Sequence, residues 1–255
     1  MMKNKQFILA TDLDGTFLGG SDNERSALYR WIESKRNDVG LIFVTGRDPQ
    51  FIEQLCSENG VPLPDYVIGD VGTTIAEVVR TPAKVTVRPL AVLEAEIATL
   101  WRDSGEKVRA LLASAAGLTL QNTPFRYRVS YHFDPKTYDG EAERLVRDNG
   151  FDPLISADCF FDVLPPGVSK GPSLRRLLKH LTIADSAVLV AGDTLNDLSL
   201  FETGLRGVAV QNSEPALVAQ LKMHPNVYRA SRPGAGGIAE AIRHFEFIVE
   251  AGVTA

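Results

Sequence analysis

The chain has 255 residues, 44% of them hydrophobic and 23% charged, with a formal net charge of −5. That length supports a sizeable core in one large or two small domains, and the acidic balance argues against a general nucleic-acid binder. Cys56 and Cys159 are too few for a disulfide scaffold and lack metal-ligand spacing, and no apolar run approaches the ~18 residues of a membrane span. Met1 to Gln6 leads straight into the first apolar run and has no room for a secretory signal, so a cytoplasmic protein with two reduced thiols is expected.

Phe7-Ile8-Leu9-Ala10-Thr11 reads as a buried strand, and Asp12-Leu13-Asp14-Gly15-Thr16 follows at its carboxyl end. Ligands of open α/β sheets gather at that edge. Two carboxylates there can attack an electrophile, hold a hard cation or move a proton; taken alone, the same residues also make an ordinary turn. Helical spacing from Asn23 to Lys35 puts Leu28, Trp31 and Ile32 on one face. Leu41-Ile42-Phe43-Val44 is a second strand, ending in Thr45-Gly46-Arg47. Pro49 opens a helix over Gln50 to Asn59, which Gly60, Pro62 and Pro64 stop. Tyr66-Val67-Ile68 is a third strand, followed by Gly69-Asp70-Val71-Gly72-Thr73-Thr74-Ile75.

From Pro82 the texture changes. Val85-Thr86-Val87 is a short strand; Leu93, Ile97, Leu100 and Trp101 mark one amphipathic helix, and Val108, Leu111 and Leu112 another. Residues 126–133 alternate cleanly, with Tyr127, Val129, Tyr131 and Phe133 on one face and Arg126, Arg128, Ser130 and His132 on the other. A helix from Gly140 to Asn149 and a strand from Cys159 to Leu164 follow. This α+β texture, with a half-exposed sheet, differs from the α/β pattern around it. The expected organisation is a doubly wound, Rossmann-like parallel-sheet core formed by residues 1–81 and 164–255, with an α+β cap inserted at 82–163.

The first pattern then resumes. Ser169-Lys170-Gly171-Pro172 precedes a helix carrying Leu174, Leu177 and Leu178; the strand Ala187 to Ala191 ends in Gly192-Asp193-Thr194-Leu195-Asn196-Asp197. Val208-Ala209-Val210 and Asn226-Val227-Tyr228 are further strands, and Gly234-Ala235-Gly236-Gly237 leads into a last helix ending near Phe247. The glycine run is no P-loop, since no Gly-Lys-Ser/Thr follows. Four polar clusters therefore share one sheet edge: Asp12 with Asp14, Thr45, Lys170, and Asp193 with Asn196 and Asp197. Acids, a hydroxyl and an ammonium together suit phosphoryl transfer, which needs cations to offset phosphate charge and donors for its oxygens. As bland alternatives, Asn196 and Asp197 also suit helix capping, and the polar row of 126–132 also suits a solvated sheet face.

The order DLDGT, TGR, SKG, GDTLND, with the insert between the second and third motifs, resembles the C2-capped haloacid dehalogenase (HAD) superfamily of phosphatases. VGTTI after Asp70, RVSYHFDP in the insert and the tail SRPGAGGIAEAIRHF resemble its sucrose-phosphatase branch, although Phe17-Leu18-Gly19-Gly20 stands where that branch has a tryptophan. The resemblance implies an Mg²⁺-dependent phosphomonoesterase acting on sucrose phosphate or a related disaccharide phosphate through an aspartyl phosphate. It implies Asp12 as nucleophile, Asp14 as general acid and base, Thr45 and Gly46 on the phosphate, and Lys170 as its neutralising cation. Asp12, the Asp14 backbone carbonyl and Asp193 would hold the metal, with Asn196 and Asp197 orienting metal-bound water or Lys170. Arg128, Ser130 and His132 are expected to recognise the sugar. Rival functions are a phosphatase for another small phosphorylated solute such as a glycosyl-phosphoglycerate, a phosphomutase, or a catalytically silent sugar-phosphate sensor.

Overall fold

The computed structural model describes residues 2–57, 60–123 and 125–247. β1 (Phe7–Thr11) is buried along its whole length. α1 (Asp22–Ser34) begins at a capping box: the Ser21 side chain accepts from the Glu24 N–H, and Glu24 Oε2 accepts from the Ser21 N–H at 2.9 Å. Such a cap contributes about 1 kcal/mol. β2 (Val39–Val44) is again wholly buried. α2 (Pro49–Ser57) carries its proline in the first turn, where a missing N–H costs nothing; its expected end at Asn59 lies outside the described residues. β3 (Tyr66–Gly69), β4 (Thr74–Arg80) and β5 (Val85–Pro89) follow.

The insert comprises α3 (Ala91–Trp101), α4 (Gly105–Leu111), β6 (Leu118–Leu120), β7 (Val129–Phe133), α5 (Glu141–Asp148), β8 (Asp152–Ser156) and β9 (Phe160–Leu164). The chain then returns through α6 (Lys170–Leu181), β10 (Val188–Gly192), α7 (Leu198–Phe201), β11 (Arg206–Ala209), α8 (Pro215–Gln220), β12 (Val227–Arg229) and α9 (Gly234–His244). Among the described residues, no helix is long and apolar enough to cross a membrane.

The strands form two sheets. The larger has eight strands in the order β12-β11-β10-β1-β2-β3-β4-β5, parallel from β12 to β3 and antiparallel beyond. Its central strands alternate between two cores: Phe7 and Leu9 pack under α1 and α9, while Ile8 and Ala10 pack under α6 and α7. Both faces being covered is why these strands read as unbroken apolar runs. The order 10-1-2 places β1 at the centre, where the chain reverses its direction of winding, and the carboxyl ends of β1, β2 and β10 open onto one crevice.

The smaller sheet is antiparallel, in the order β6-β7-β9-β8, and buries one face: Val129, Tyr131, Phe161 and Val163 pack with Trp101, Val108 and Val146. The fold is thus the expected α/β core with an inserted α+β cap. One element differs from expectation. The strand at 85–89 belongs by its hydrogen bonds to the large sheet, pairing with β4 from Ala76↔Pro89 to Arg80↔Val85. The change at Pro82 is the turn of that hairpin, closed by Thr81 N–H to the Lys84 carbonyl at 2.9 Å. Also, β7 starts at Val129 rather than Arg126. The Arg126 side chain is drawn off to Glu94 and to Thr74 Oγ1, away from the ladder.

Candidate active site

After β1 the chain folds back through Asp12–Phe17, with Phe17 N–H donating to the Asp12 carbonyl (3.2 Å) and Leu18 N–H to the Leu13 carbonyl (2.9 Å). Gly15 takes φ of 80°, and a Cβ there would lie 2.2 Å from Asp193 Oδ2. Glycine is what allows the β1 and β10 acid segments to touch. The Asp193 carboxylate accepts from the Thr16 hydroxyl at 2.7 Å and from Asn212 Nδ2 at 3.5 Å. Asn212 also donates to the Gly15 carbonyl at 3.0 Å and accepts from the Gly234 N–H at 2.9 Å. With Ala235 N–H on the Gly19 carbonyl at 3.1 Å, the start of α9 clasps the first motif's turn.

Lys170 opens α6 and is fully buried. Its ammonium donates to Asp12 Oδ1 at 2.7 Å, Asn196 Oδ1 at 2.7 Å and Asp197 Oδ1 at 2.6 Å, which uses all three of its protons. Asp197 Oδ2 accepts from the N–H groups of Asp193 (2.9 Å) and Thr194 (3.1 Å). Asp197 therefore caps its turn and steadies Lys170 at once. Burial alone would lower the Lys170 ammonium, but the Asp12 and Asp197 carboxylates override it and raise it. Burial pushes the Asp12 carboxyl well above the usual range against the pull of Lys170, and Asp197 and Asp193 add to the rise. Burial, then the Asp197 charge, pushes Asp193 up to about 7.

Carboxylate oxygens of Asp12, Asp193 and Asp197 lie within 4.8 Å of one another. Three buried acids against one ammonium leave negative charge uncompensated, and an all-oxygen donor set is the kind a hard divalent cation takes. The Asp14 side chain stands apart from this group. Arg47 grips it in a fork, Nε to Oδ2 at 2.9 Å and Nη2 to Oδ1 at 3.0 Å, while the guanidinium lies 4.6 Å over the Phe51 ring. Thr45 follows β2, buried beside this pair; its hydroxyl oxygen accepts from the Arg47 N–H at 3.1 Å.

A cavity of about 410 Å³ opens over Asp12 and Asp14, roofed by the cap residues Phe125, Arg128 and Asp162. The cap's polar row is not an open face. Arg128 and Ser130 are buried because β9 sets Asp162 beside them: Arg128 Nη1 reaches Asp162 Oδ1 at 3.0 Å, and the Ser130 hydroxyl donates to the same oxygen. Arg128 faces the cavity, Ser130 stands behind it, and His132 is exposed with its ring 6.4 Å from that of Phe160. Sequence reasoning missed Asp162, Phe125 and Asn212 and left Arg47 outside the catalytic group. An arginine straight after the Thr-Gly of a strand end was the available signal for Arg47.

Residues 5–246 match the family model described as sucrose-6F-phosphate phosphohydrolase. Glucosylglycerol-phosphate synthase of Pseudomonas anguilliseptica is 36% identical over 249 residues, 97% of this chain but 32% of that protein. This chain thus spans about a third of that relative. Mannosylfructose-phosphate phosphatase of Agrobacterium fabrum is 29% identical, with 93% of this chain and 96% of that protein covered. The crystal structure of the Synechocystis sucrose-phosphatase, in complex with sucrose and phosphate, superposes with a TM-score of 0.84 at 28% identity, covering 96% of this chain and 100% of that one.

Proposed function

The chain belongs to the sucrose-6F-phosphate phosphohydrolase family, and from that membership we propose that it hydrolyses the phosphate monoester of a small glycoside with Asp12 as nucleophile. The observation that carries the reading is the buried Asp12 carboxylate, one oxygen pinned by Lys170 at 2.7 Å, at the floor of a cavity open to the cap. The pinned oxygen fixes the rotamer, so the other attacks phosphorus and forms an aspartyl phosphate. Lys170 stays protonated throughout and offsets the charge that gathers on the phosphoryl oxygens.

Asp14 delivers a proton to the departing sugar oxygen and afterwards takes one from the water that cleaves the acyl phosphate. The Arg47 fork aims its carboxyl, and Asp14 must trade that fork for the substrate oxygen. Thr45 and the Gly46 backbone supply donors to the phosphate. Asp12, the Asp14 carbonyl and Asp193 would hold Mg²⁺, which when bound neutralises phosphate charge that one lysine cannot. Asn196 and Asp197 hold Lys170 in place.

The cavity falls within the size range of small-molecule sites. Its roof offers Arg128 and Asp162 as charged partners for hydroxyls and Phe125 as an apolar face, which suits a phosphorylated disaccharide such as sucrose phosphate. A second reading, a glycosylglycerol phosphate, is favoured by the 36% identity to glucosylglycerol-phosphate synthase. The test is phosphate release with Mg²⁺ from sucrose phosphate, mannosylfructose phosphate, glucosylglycerol phosphate and a glycosyl-phosphoglycerate. Release from at least one of them, abolished by EDTA, is the expected result; none from any refutes the reading.

A further inference from the structure

The turn after β3 has no part in the chemistry above, yet its backbone is strained. Asp70 and Val71 both take left-handed conformations, φ 51° and 59°. A β-branched residue there is unfavourable, and such strain persists only where surroundings enforce it. The enforcing bonds are specific. Asp70 N–H donates to the Arg47 carbonyl at 2.9 Å and Val71 N–H to the Thr45 carbonyl at 3.1 Å, so the turn holds the second motif's loop from both ends. On the other side the Gly72 carbonyl accepts from Ser173 Oγ of α6 at 2.6 Å.

The Asp70 side chain, buried beneath the cap, accepts from the Thr74 hydroxyl with Oδ2 at 2.6 Å. Its Oδ1 is buried without a hydrogen-bond partner, 3.6 Å from Nη2 of Arg128. Arg128, for its part, keeps Nη1 on Asp162, lies 3.6 Å from the Phe125 ring centroid, and reaches down with Nη2 to the Gly46 carbonyl at 3.3 Å. Arg128, the one buried cation of the cap among the described residues, thus meets the core at the motif loop and at the turn bracing that loop. An oxygen of Asp70 stands just beyond hydrogen-bond length from it. Buried polar atoms left open cost free energy, and a small approach of the cap would pair this one.

We infer that Asp70 is a positioning residue: it receives Arg128 when the cap seats, and through its turn it sets the loop that carries Thr45 and Gly46. This rests on the phosphatase reading. Asp70→Asn keeps the size and the Thr74 bond but removes the charge that faces Arg128. With a phosphorylated glycoside, kcat per folded molecule should fall about tenfold while KM changes little, because loop alignment is lost rather than affinity. In the Arg128→Gln background, adding Asp70→Asn should cost less than about twofold more, since the partner is already gone. Asp70→Glu restores the charge and should recover part of kcat; the same cycle can be run with it if Asp70→Asn folds poorly. An unchanged kcat in Asp70→Asn, or an equal loss in both backgrounds, overturns the assignment. Failure of the unmodified chain to release phosphate from any phosphorylated glycoside would instead defeat the phosphatase reading.

Discussion

The core and the cap place polar groups by different means. In the core, both faces of the sheet are covered, so chemistry is confined to the strand ends, where Asp12, Thr45 and Asp193 each follow directly on a buried run. In the cap, one sheet face packs on the helices and the other carries polar groups along the strands towards the cavity; which of them meet depends on pairing, as Ser130 does with Asp162 across β7 and β9. A strand end fixes a group by local sequence. A sheet face fixes it only once its neighbour is in register. Hence damage to the core should act on the reaction whatever the substrate, and damage to the cap should act on the choice of substrate.

The largest expected effect tests the first half of that contrast. Asp12→Asn should lower turnover of sugar phosphates and of a small aryl phosphate alike, by at least about 10⁴-fold, as read by phosphate release. A large loss on one substrate only would break the comparison. Next comes Lys170→Met, which strands Asp12 and Asp197 as buried charges. Stability should fall by about 3–5 kcal/mol, measured by urea unfolding, and activity should be lost with both substrates.

The proposed Mg²⁺ site sharpens the core's side through pH. Asp193 is pushed up to about 7 in the folded chain by burial and the Asp197 charge. An acid raised on folding binds its proton more tightly when folded. Without divalent cations, its contribution therefore falls as pH rises from about 4 towards 7 and is flat above. Mg²⁺ competes with that proton, so its apparent affinity should weaken by about tenfold per pH unit below 7. Thermal shifts with and without Mg²⁺ between pH 5.5 and 8 measure it; a pH-independent shift would place the cation elsewhere.

The cap's half is tested last. Arg128→Ala should cut sugar-phosphate turnover by about tenfold or more, because it leaves the buried Asp162 with Ser130 but without its cationic partner over the cavity, with a smaller loss for an aryl phosphate. His132→Ala, at the exposed end of the same polar row, should change either rate by less than about twofold. Equal and large losses in both variants would return the whole polar row to the substrate.

Much of the core was legible because its signals are short-range. An apolar run followed by DLDGT, TGR or GDTLND states both the strand and what stands at its end. Lys170 needed more, since only the order of motifs separates it from a solvated lysine. The cap was legible as texture but not as partners: nothing near residue 128 says that Asp162, 34 residues later, will bury the arginine. The hairpin at β4–β5 misled for a local reason. Its turn contains Pro82, and a proline after a strand reads equally as a boundary or a bend. Asn212 could not be found from sequence at all, because its role depends on touching Gly15 and Gly234 at once.

The clasp of α9 on the first motif has a consequence for the protein during its synthesis. The strand that carries Asp12 borders β2, which is translated soon after it, and β10, which follows only when the cap is complete (Ile8↔Val188). The turn after β1 is then fastened by Asn212, 197 residues beyond Gly15, and by Gly234 and Ala235. Asp12 is thus made well before the residues that brace the turn around it. Such long-range closure is slow. It also means that a chain cut short before Val188 lacks both the β10 strand that borders β1 and the brace on the first motif's turn.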